Sequence, residues 1–498
     1  MTNAERLLET RYCWKGEVAG DVYKRVANAL AIGDWKLRDW LLDAMGKGVF
    51  LPNSPCLRNA GKRNALLHAC FVLPIQDNIE GIFQTIANTS TIFHYGGGVG
   101  VNFSALRPAG SNLSTGGSSS GAVSFMGIFD RVTDVVKQGG FRRGALMGLL
   151  DYDHPEITNF IRAKLKGELS NFNLSVMVND FFMEAVTSQK KMELRHEGKV
   201  YGKLKAKDVF DLMCFANWCC GDPGILFFDR INKDNKFYPK VVLKGCNPCS
   251  EALLPDYGAC TLGSINLSLF VKKDGSFRFE EFEEVAKKAA RVLLNVNRIG
   301  WFPLPSINQT MREFDPIGVG VMGFADCLIK MGVKYDSEGT LQFIAKLGVC
   351  YKRATDEVAV GSFYKRIIAP TGSLSILANC SSGIEPIFSK HFERHLDKDL
   401  GIFEERRDIY NSEFAVCAHE ITPEWHLKVQ AEWQKVVDGG ISKTINVSNS
   451  ASVDDIKEIY RKAWELGCKS VTVFRDGCKE GVLKNVNAEK CDGEACYL

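Results

Sequence analysis

Apolar side chains recur along this chain at spacings that predict its secondary structure. The clearest helical stripe, with glutamates and lysines between its members, consists of Phe282, Val285, Ala286, Ala289, Val292 and Leu293. A second apolar stripe at helical spacing consists of Phe125, Ile128, Phe129, Val132 and Val136. Short apolar or β-branched runs alternate with such helical segments, which favours an α/β architecture.

The C-terminal segment shows the same alternation with clear end signals. Ser452 is placed to cap a helix that has two aspartates in its first turn, and Gly467 is placed to end it. The run 470–474 predicts a strand, and the sequence Arg475-Asp-Gly477 predicts a turn. After about Gly481 the hydrophobic periodicity is lost, so we expect a flexible tail.

These patterns divide the chain into three parts. We predict a short N-terminal helical region at residues 1–49, one large α/β domain at 50–480 and a tail at 481–498. The length alone would allow two or three domains, but no clear linker interrupts the middle part. The Gly/Ser-rich run Ser114–Gly121 is the one low-complexity stretch.

The composition indicates the cellular location and the classes of binding partner that we expect. Of 498 residues, 45% are hydrophobic and 24% are charged, with a net charge of +3, which is ordinary for a soluble globular protein. So small an imbalance gives no reason to expect a nucleic acid or a membrane as partner. Residues 1–21 mix charges and lack the apolar core of a signal peptide, and no apolar run approaches the roughly 18 residues that span a bilayer, so we expect a cytoplasmic protein.

The 17 cysteines need their own interpretation. They are scattered, often within apolar runs, and without an export signal most are expected to be buried thiols in a reducing compartment. Cys246 and Cys249 form one Cys-x-x-Cys pair, but no second pair at zinc-site spacing accompanies it. We therefore predict no metal site.

The segment Asn247-Pro-Cys-Ser-Glu251 carries the most distinctive chemistry. Its proline restricts Asn247 to an extended backbone, which predicts a shaped loop from which Cys249 and Glu251 can face one ligand. A neighbouring carboxylate disfavours a thiolate, because like charge raises the thiol pKa. The segment therefore favours a cysteine that works as a neutral thiol or a radical, with Glu251 handling a substrate proton.

Other segments have compositions that suit particular chemistry. Ala369-Pro-Thr-Gly-Ser-Leu-Ser375 offers the amides and hydroxyls that bind phosphate where a helix begins. Cys491 and Cys496 form a pair in the tail that suits thiol–disulfide exchange. The glycine-rich run His94–Gly100 does not fit the dinucleotide-binding fingerprint, so we predict that its glycines permit close backbone packing inside the fold.

Taken together, these segments resemble the catalytic subunit of ribonucleotide reductases, especially the adenosylcobalamin-dependent (class II) branch. The resemblance runs from about Phe50 to the last residues. It implies a ten-stranded α/β barrel made of two five-stranded halves, with the catalytic loop inside the barrel. Only about fifty residues precede Pro52-Asn-Ser-Pro55, which is too few for the ATP-binding cone domain of many relatives, so we expect no overall regulation by ATP and dATP.

The resemblance assigns catalytic roles. Cys249, expected to be a buried sulfur, becomes the thiyl radical that abstracts the 3′ hydrogen of the ribose. Glu251 takes the 3′-hydroxyl proton, and Asn247 hydrogen-bonds the ribose. Cys70 and Cys260 supply two electrons by forming a disulfide. The tail pair, Cys491 and Cys496, passes electrons inward from a thioredoxin- or glutaredoxin-like reductant.

The resemblance also assigns binding roles. The residues it places at the substrate are Ser54, Gln138, Arg142, Thr371, Gly372, Ser373 and Ser375, the last four at the phosphates. Asp77 matches an aspartate that binds an effector deoxynucleotide. Ser114–Gly121 and 138–145 resemble two specificity loops, of which the second reads the substrate base. Relatives use the helix with the Phe125 stripe at a dimer interface, but the stripe suits an internal core equally well, so monomer and homodimer both stay open.

The cofactor follows from resemblance and exclusion. The oxygen-dependent relatives use a pair of adjacent tyrosines, and this chain contains no Tyr-Tyr dipeptide. The glycyl-radical relatives usually lack the loop glutamate, which is present here as Glu251. The short step from Cys249 to Cys260 and the segments 463–469 and 472–477 also look like the class II branch. Adenosylcobalamin is therefore the predicted cofactor.

The predicted function is reduction of ribonucleoside di- or triphosphates to 2′-deoxyribonucleotides. Two alternatives stay open. One is an oxygen-dependent (class I) large subunit that needs a radical-generating partner. The other is a catalytically silent nucleotide-binding regulator that retains the fold, although the presence of all five catalytic residues and the tail pair argues against it.

Overall fold

A computed structural model describes residues 2–136, 144–235, 238–397, 401–478 and 483–485. The chain begins with helices α1 (Asn3–Leu7), α2 (Ala19–Leu30) and α3 (Trp35–Gly46), and a π-helical turn (Leu8–Tyr12) follows directly on α1. In α2 the buried side chains Val22, Val26 and Leu30 recur at four-residue spacing, so one face of the helix packs into the core. These helices lie beside the first strand of the main fold, β1 (Phe50–Pro52), and the short helix α4 (Ser54–Asn59).

Five parallel strands form the first half of the main fold. They are β2 (Cys70–Leu73), β3 (Gly98–Asn102), β4 (Leu146–Asp151), β5 (Phe172–Val178) and β8 (Gly224–Phe227). They pair in that order, each parallel to the next. The helices that connect or follow them are α5 (Ile79–His94), α6 (Ala122–Val135), α7 (Ile157–Ala163), α8 (Asp180–Thr187), α9 (Ala206–Cys220) and α10 (Phe228–Lys233).

Five further segments run parallel to one another in the second half. They are β11 (Leu262–Asn266), β12 (Gly318–Met322), the extended segment 366–368, the segment that leads from 441 into β15 (Thr444–Val447), and β16 (Ser470–Arg475). Backbone hydrogen bonds continue across the two short segments: Val319 N donates to Lys365 O (2.9 Å), and Ser442 N donates to Ile368 O (2.8 Å).

The second half is connected and covered by seven helices of 6 to 21 residues. They are α11 (Phe279–Ile299), α12 (Pro305–Phe314), α13 (Phe324–Met331), α14 (Glu338–Val358), α15 (Gly372–Leu377), α16 (Pro423–Gln434) and α17 (Val453–Glu465). All six members of the Phe282 stripe are buried in α11, which confirms that prediction. Single 3-10 turns lie at Phe103–Ala105, Lys164–Lys166, Leu267–Phe270 and Asp408–Asn411.

The two halves join at two antiparallel seams. At one seam β16 pairs with β8. At the other, residues 258–260, which lead into β11, pair with β2: Phe71 lies opposite Ala259, and Cys260 N donates to Cys70 O at 3.0 Å. Main-chain pairing therefore runs through ten segments and returns to β2, which confirms the predicted ten-stranded α/β barrel of two five-stranded halves.

Three smaller elements are attached to the barrel. β6 (Lys191–His196) and β7 (Lys199–Lys205) form a hairpin, and β13 (His391–Asp397) pairs with both β14 (Gly401–Arg406) and β17 (Leu483–Asn485). The third element is a short hairpin inside the barrel, formed by β9 (Gly245–Cys246) and β10 (Leu253–Leu254). This last hairpin carries the predicted catalytic loop.

The predicted helix cap, strand and turn near the C-terminus are confirmed by the structure, whereas β17 (Leu483–Asn485), which lies within the expected flexible tail, pairs with β13. The Ser452 side chain accepts a hydrogen bond from Asp455 N, and α17 ends just before Gly467, whose φ is +77°. The predicted strand is β16, and the predicted turn is closed by a hydrogen bond from Cys478 N to Arg475 O (3.1 Å). The predicted tail pair, Cys491 and Cys496, lies outside the described residues.

The Phe125 stripe is divided between the core and the surface of α6. Phe129 is buried, and the other four members are half-buried against the same core cluster. Monomer and homodimer therefore both remain consistent with this helix. Within the described ranges, none of the helices combines the length and the hydropathy that crossing a membrane requires.

Candidate active site

The loop between β9 and β10 is held in shape by Asn247. Its backbone N donates to Ala252 O (3.1 Å), its side-chain Oδ1 accepts from Ala252 N (2.9 Å), and its carbonyl accepts from Ser250 N (3.0 Å). Ser250 has a φ of +65°, a left-handed conformation that is uncommon for a residue with a side chain. The Asn247 Nδ2 atom is buried and has no hydrogen-bond partner among the described residues. The Asn247 side chain also interacts with the Glu251 carboxyl group and partly offsets the rise in the pKa of that group.

The first half of the barrel contacts this loop through glycines and an asparagine. A Cβ atom on Gly100 would lie 1.7 Å from the Cys246 carbonyl oxygen, so only glycine fits there. A Cβ atom on Gly98 would lie 3.2 Å from Pro248 Cγ. Asn173, on β5, donates from Nδ2 to Pro248 O at 2.8 Å. These contacts confirm that glycines of the His94–Gly100 run permit close packing inside the barrel.

The second half of the barrel holds the other end of the loop. Gly440 N donates to Glu251 O at 2.7 Å. A Cβ atom on Gly440 would lie 2.6 Å from Ser250 O, so glycine is required there as well. Gly440 belongs to the segment that pairs with 366–368, because its carbonyl accepts from Ile368 N. The loop therefore crosses from one half of the barrel to the other.

Cys70 and Cys260 are cross-strand neighbours at the seam between the halves. The hydrogen bond from Cys260 N to Cys70 O and the adjacent Phe71–Ala259 pair set these cysteines opposite each other. In antiparallel sheets such partners have Cα atoms about 5.5 Å apart, inside the range that a disulfide bridges. A hydrogen bond with the Cys70 thiol, together with burial, raises the pKa of Cys260 well above its usual value. Cys260 is therefore a neutral thiol at physiological pH.

Glu251 is buried close enough to Cys70 for the two groups to interact electrostatically. Burial, followed by the nearby Cys70 thiol, raises the pKa of Glu251 to about 8. Its Oε2 atom is buried without a hydrogen-bond partner among the described residues. A carboxyl group in this state can exchange a proton with a bound ligand close to neutral pH.

The expectation of a buried sulfur at position 249 is wrong. Cys249 is exposed, whereas Asn247, Pro248, Ser250 and Glu251 are buried. The physical reason is that the barrel walls contact the two ends of the loop and leave its tip accessible. The loop therefore presents one accessible thiol next to a buried amide and a buried carboxyl group.

The Pro-Thr-Gly-Ser segment begins where the extended segment 366–368 ends. Thr371 Oγ1 accepts from Gly383 N (2.7 Å) and hydrogen-bonds Ser382 Oγ (3.2 Å), while the buried Ser375 donates to Gly372 O (3.3 Å). Gly372 and Ser373 are half-buried. Thr371 and Ser375 thus stabilise the shape of the segment, and Gly372 and Ser373 are its more accessible members.

The remaining predicted binding residues lie at other places. Asp77 accepts hydrogen bonds from Arg107 Nε (2.7 Å) and Arg107 N (3.1 Å) beyond the end of β2. The run Ser114–Gly121 forms a surface loop in which Ser118 pairs with Asn112. Gln138 and Arg142 lie outside the described residues. The effector and base-reading roles stay predictions.

Sequence reasoning missed several residues that contact the site. Ser373 Oγ accepts from Arg11 (2.9 Å), Ser54 hydrogen-bonds Tyr12 (2.9 Å), and Arg394 donates to Gly372 O (3.0 Å). No local pattern marked these side chains, because they come from the N-terminal helices and the β13–β14 hairpin. The Gly439-Gly440 dipeptide did carry a signal, since paired glycines before a strand indicate a close backbone approach.

Glu251 gives a prediction about stability and pH. Because its folded-state pKa is raised from 4.5 to about 8, folding favours the protonated form, and this contribution is lost as the pH rises through about 8. Between pH 5.5 and pH 9, we expect the stability of Glu251→Gln relative to the wild type to rise by about 3 kcal/mol. Denaturant unfolding of both proteins at several pH values measures the difference. A difference that does not change with pH would contradict the burial of an ionisable group here.

Two family models match the chain. The model described as "Ribonucleotide reductase, barrel domain" matches residues 68–349 and 401–474, and the model described as "Ribonucleotide reductase, all-alpha domain" matches residues 2–65. The first covers more than half of the chain and includes β2, the loop 247–251 and Cys260.

Curated relatives are also named as ribonucleotide reductases. A vitamin B12-dependent ribonucleoside-diphosphate reductase of Thermoplasma acidophilum is 39% identical over 490 residues, which cover 86% of this chain and 64% of the relative. A protein of the same name from Mycobacterium tuberculosis strain H37Rv is 37% identical over 503 residues, covering 89% of this chain and 71% of the relative. A vitamin B12-dependent ribonucleotide reductase of Streptomyces coelicolor is 29% identical, covering 87% and 59%. The chain therefore spans less than two thirds of the Thermoplasma protein.

Proposed function

Because this chain belongs to the ribonucleotide reductase large-subunit family, we propose that it converts ribonucleotides to 2′-deoxyribonucleotides with adenosylcobalamin as cofactor. The observation that carries the proposal is the set of groups on the loop between β9 and β10 and at the neighbouring seam of the barrel wall. An accessible thiol, a buried carboxyl group with a raised pKa, a buried amide and a pair of opposed cysteines meet there.

The accessible thiol suits the proposed cofactor. Cys249 is exposed while the residues on either side of it are buried, so a radical source can approach its sulfur from outside the loop. Bound adenosylcobalamin supplies such a source by homolysis of its cobalt–carbon bond. Cys249 is the residue that would face it. The absence of a Tyr-Tyr dipeptide from the sequence favours this source over a radical relay from a partner subunit.

Cys249 and Glu251 start the proposed reaction. The Cys249 thiyl radical abstracts the 3′ hydrogen of the ribose and leaves a carbon radical. Glu251 accepts the 3′-hydroxyl proton, for which a pKa of about 8 is suitable near neutral pH. Asn247 Nδ2, buried and without a partner among the described residues, donates a hydrogen bond to the ribose.

Cys70 and Cys260 complete the reduction. The 2′-hydroxyl leaves as water after it takes a proton from a thiol of this pair. The pair then gives two electrons to the ribose and closes to a disulfide, and Cys249 returns a hydrogen atom to the 3′ carbon. The balance is one ribonucleotide and two thiols converted to one deoxyribonucleotide, one disulfide and one water. The raised pKa of Cys260 keeps the required proton on its sulfur.

We place the binding partners by the same reasoning. Gly372 and Ser373 contact the substrate phosphates, with Thr371 and Ser375 shaping the segment and Ser54 nearby. Asp77 binds a deoxynucleotide effector, and Gln138 and Arg142 read the substrate base.

The chain acts as a monomer or a homodimer in the cytoplasm. It consists of an N-terminal helical region (1–49), a catalytic domain (50–480) and a tail that carries the redox cysteine pair (481–498).

The tail pair gives a second prediction. We expect the double change Cys491→Ser and Cys496→Ser to slow turnover at least about tenfold when a thioredoxin is the reductant. A small dithiol can enter the barrel directly, so its support of turnover should change little. Steady-state rates with the two reductants measure the ratio. Equal rate losses with both reductants would remove the relay role.

One assay tests the proposed function. The purified chain is supplied with a dithiol and a ribonucleotide, with and without adenosylcobalamin. We expect deoxyribonucleotide that depends on the cofactor and needs no other protein. Product that forms only after a metal-radical subunit is added would support the oxygen-dependent alternative instead. Nucleotide binding without turnover under either condition would indicate a silent regulator.

A further inference from the structure

Two consecutive residues of the N-terminal region contact two predicted substrate-binding serines. Arg11 donates from a terminal guanidinium nitrogen to Ser373 Oγ at 2.9 Å. The next residue, Tyr12, hydrogen-bonds Ser54 Oγ through its hydroxyl at 2.9 Å. Ser54 and Ser373 lie far apart in sequence, so the π-helical turn Leu8–Tyr12 connects the start of α4 with the Pro-Thr-Gly-Ser segment. This connection places an arginine beside the proposed phosphate segment.

Arg11 and the nearby Arg25 differ in whether a carboxylate pairs with their positive charge. Arg25 is neutralised by Glu17, with Nε 2.6 Å from the carboxylate, and it also donates to the carbonyls of Tyr12, Leu57 and Ala60. Arg11 forms no ion pair with a carboxylate in the described ranges of the chain; its guanidinium donates to Ser373 Oγ and lies 5.9 Å from the centre of the Tyr12 ring. Arg25 therefore stabilises the local fold, whereas Arg11 keeps donors and positive charge for a ligand.

The other arginine at the phosphate segment cannot supply this charge. Arg394 forms a buried ion pair with Glu405, in which Nε lies 2.6 Å from the carboxylate, and its NH1 atom donates to Gly372 O and Ser375 Oγ. Its charge is compensated within the protein. Arg394 fixes the backbone of the segment, whereas Arg11 is half-buried beside Ser373 and has no carboxylate partner among the described residues.

A second guanidinium strengthens the positive potential around Arg11. Arg58 donates to the Arg11 carbonyl, which keeps its side chain close. Burial, followed by the charge of Arg11, lowers the pKa of Arg58. Like charges that are held together in a half-buried region repel each other, and an anion that binds between them relieves the repulsion.

We propose that Arg11 binds the terminal phosphate of the ribonucleotide and thereby selects substrates by their phosphate number. The inference rests on the proposed function and extends it to the di- or triphosphate end of the substrate. A guanidinium presents parallel N–H donors that match two phosphate oxygens, which suits this task better than a point charge. The N-terminal helical region then takes part in substrate recognition.

Equilibrium binding of CMP, CDP and CTP to the full chain tests this inference without turnover. We expect Arg11→Gln to weaken the binding of nucleotides that carry the contacted phosphate by about tenfold to a hundredfold. The affinity for nucleotides that lack this phosphate should change less than about twofold. A step between CMP and CDP identifies the second phosphate as the contact, and a step between CDP and CTP identifies the third. Arg11→Lys should retain part of the affinity, because it keeps the charge but loses the fork.

Two controls separate this role from a structural one. Arg38→Gln removes an exposed arginine that pairs with Asp39 on α3, and it should change none of the three affinities. Thermal unfolding of Arg11→Gln should match the wild type. Equal weakening for all three nucleotides, or no weakening at all, would overturn the role of Arg11 and leave the proposed function standing. Failure of the wild-type chain to bind any of the three would overturn both.

Discussion

Under the proposed mechanism, replacing Cys249 with alanine is expected to lower deoxyribonucleotide formation by on the order of a thousandfold or more, because the variant loses the thiol that would abstract the 3′ hydrogen. The thiol is exposed and its loss removes little packing, so the unfolding temperature and nucleotide affinity should equal those of the wild type. Turnover with adenosylcobalamin and a dithiol, together with thermal unfolding, measures both quantities.

Cys417→Ala serves as the matched cysteine control. Cys417 is a half-buried cysteine near Glu420, remote in sequence from the catalytic loop and not part of the proposed mechanism. We expect this variant to retain wild-type turnover. If Cys249→Ala kept more than about a tenth of the wild-type rate while the control was fully active, Cys249 would not be the radical site.

Gly100→Ala is expected to disable the enzyme without touching a reacting group. The added Cβ atom would lie 1.7 Å from the Cys246 carbonyl oxygen, which is main chain and cannot rotate away. The loop must therefore move relative to β3, and it carries the thiol, the amide and the carboxyl group with it. We expect at least a hundredfold loss of turnover, since misplacement by about 1 Å has effects of this size. Overpacking should also lower the free energy of unfolding by about 1–3 kcal/mol.

Gly20→Ala provides the comparison for Gly100→Ala. Gly20 lies in α2, and a Cβ atom there would have no heavy atom within 4 Å. This change should leave turnover unaltered and hold or raise the free energy of unfolding by up to about 1 kcal/mol, because alanine favours helix more than glycine does. Wild-type turnover by Gly100→Ala would show that the contact between β3 and the loop does not position the catalytic groups.

Local signals predicted the elements that have strong ends or stripes, and they could not predict the barrel. The Ser452 cap and the buried stripe of α11 depend on neighbouring residues, which periodicity reports directly. Closure of the barrel depends on short pairings such as Phe71 with Ala259 and Ile368 with Ile441. Such pairings join residues distant in sequence, so the barrel could be expected only from the family resemblance.

The candidate site shows the same division between local and long-range information. The types and order of residues in Asn247–Glu251 indicated a loop with an unusual thiol. The opposition of Cys70 and Cys260 comes from an antiparallel seam that no spacing reveals. Cys249 was predicted to be buried but is exposed. Its exposure depends on which part of the loop the barrel walls contact, and the sequence does not show this. Arg11 was missed because its contact with Ser373 is made through the tertiary fold alone.

A single-turnover experiment tests the central claim that Cys70 and Cys260 supply the electrons for ribonucleotide reduction. The chain with Cys491 and Cys496 changed to serine is reduced, freed of reductant, and mixed with adenosylcobalamin and a ribonucleotide. The account predicts about one deoxyribonucleotide per chain and, in peptide mapping by mass spectrometry, a new disulfide between Cys70 and Cys260. Deoxyribonucleotide formed in that amount while both cysteines remain thiols would contradict it.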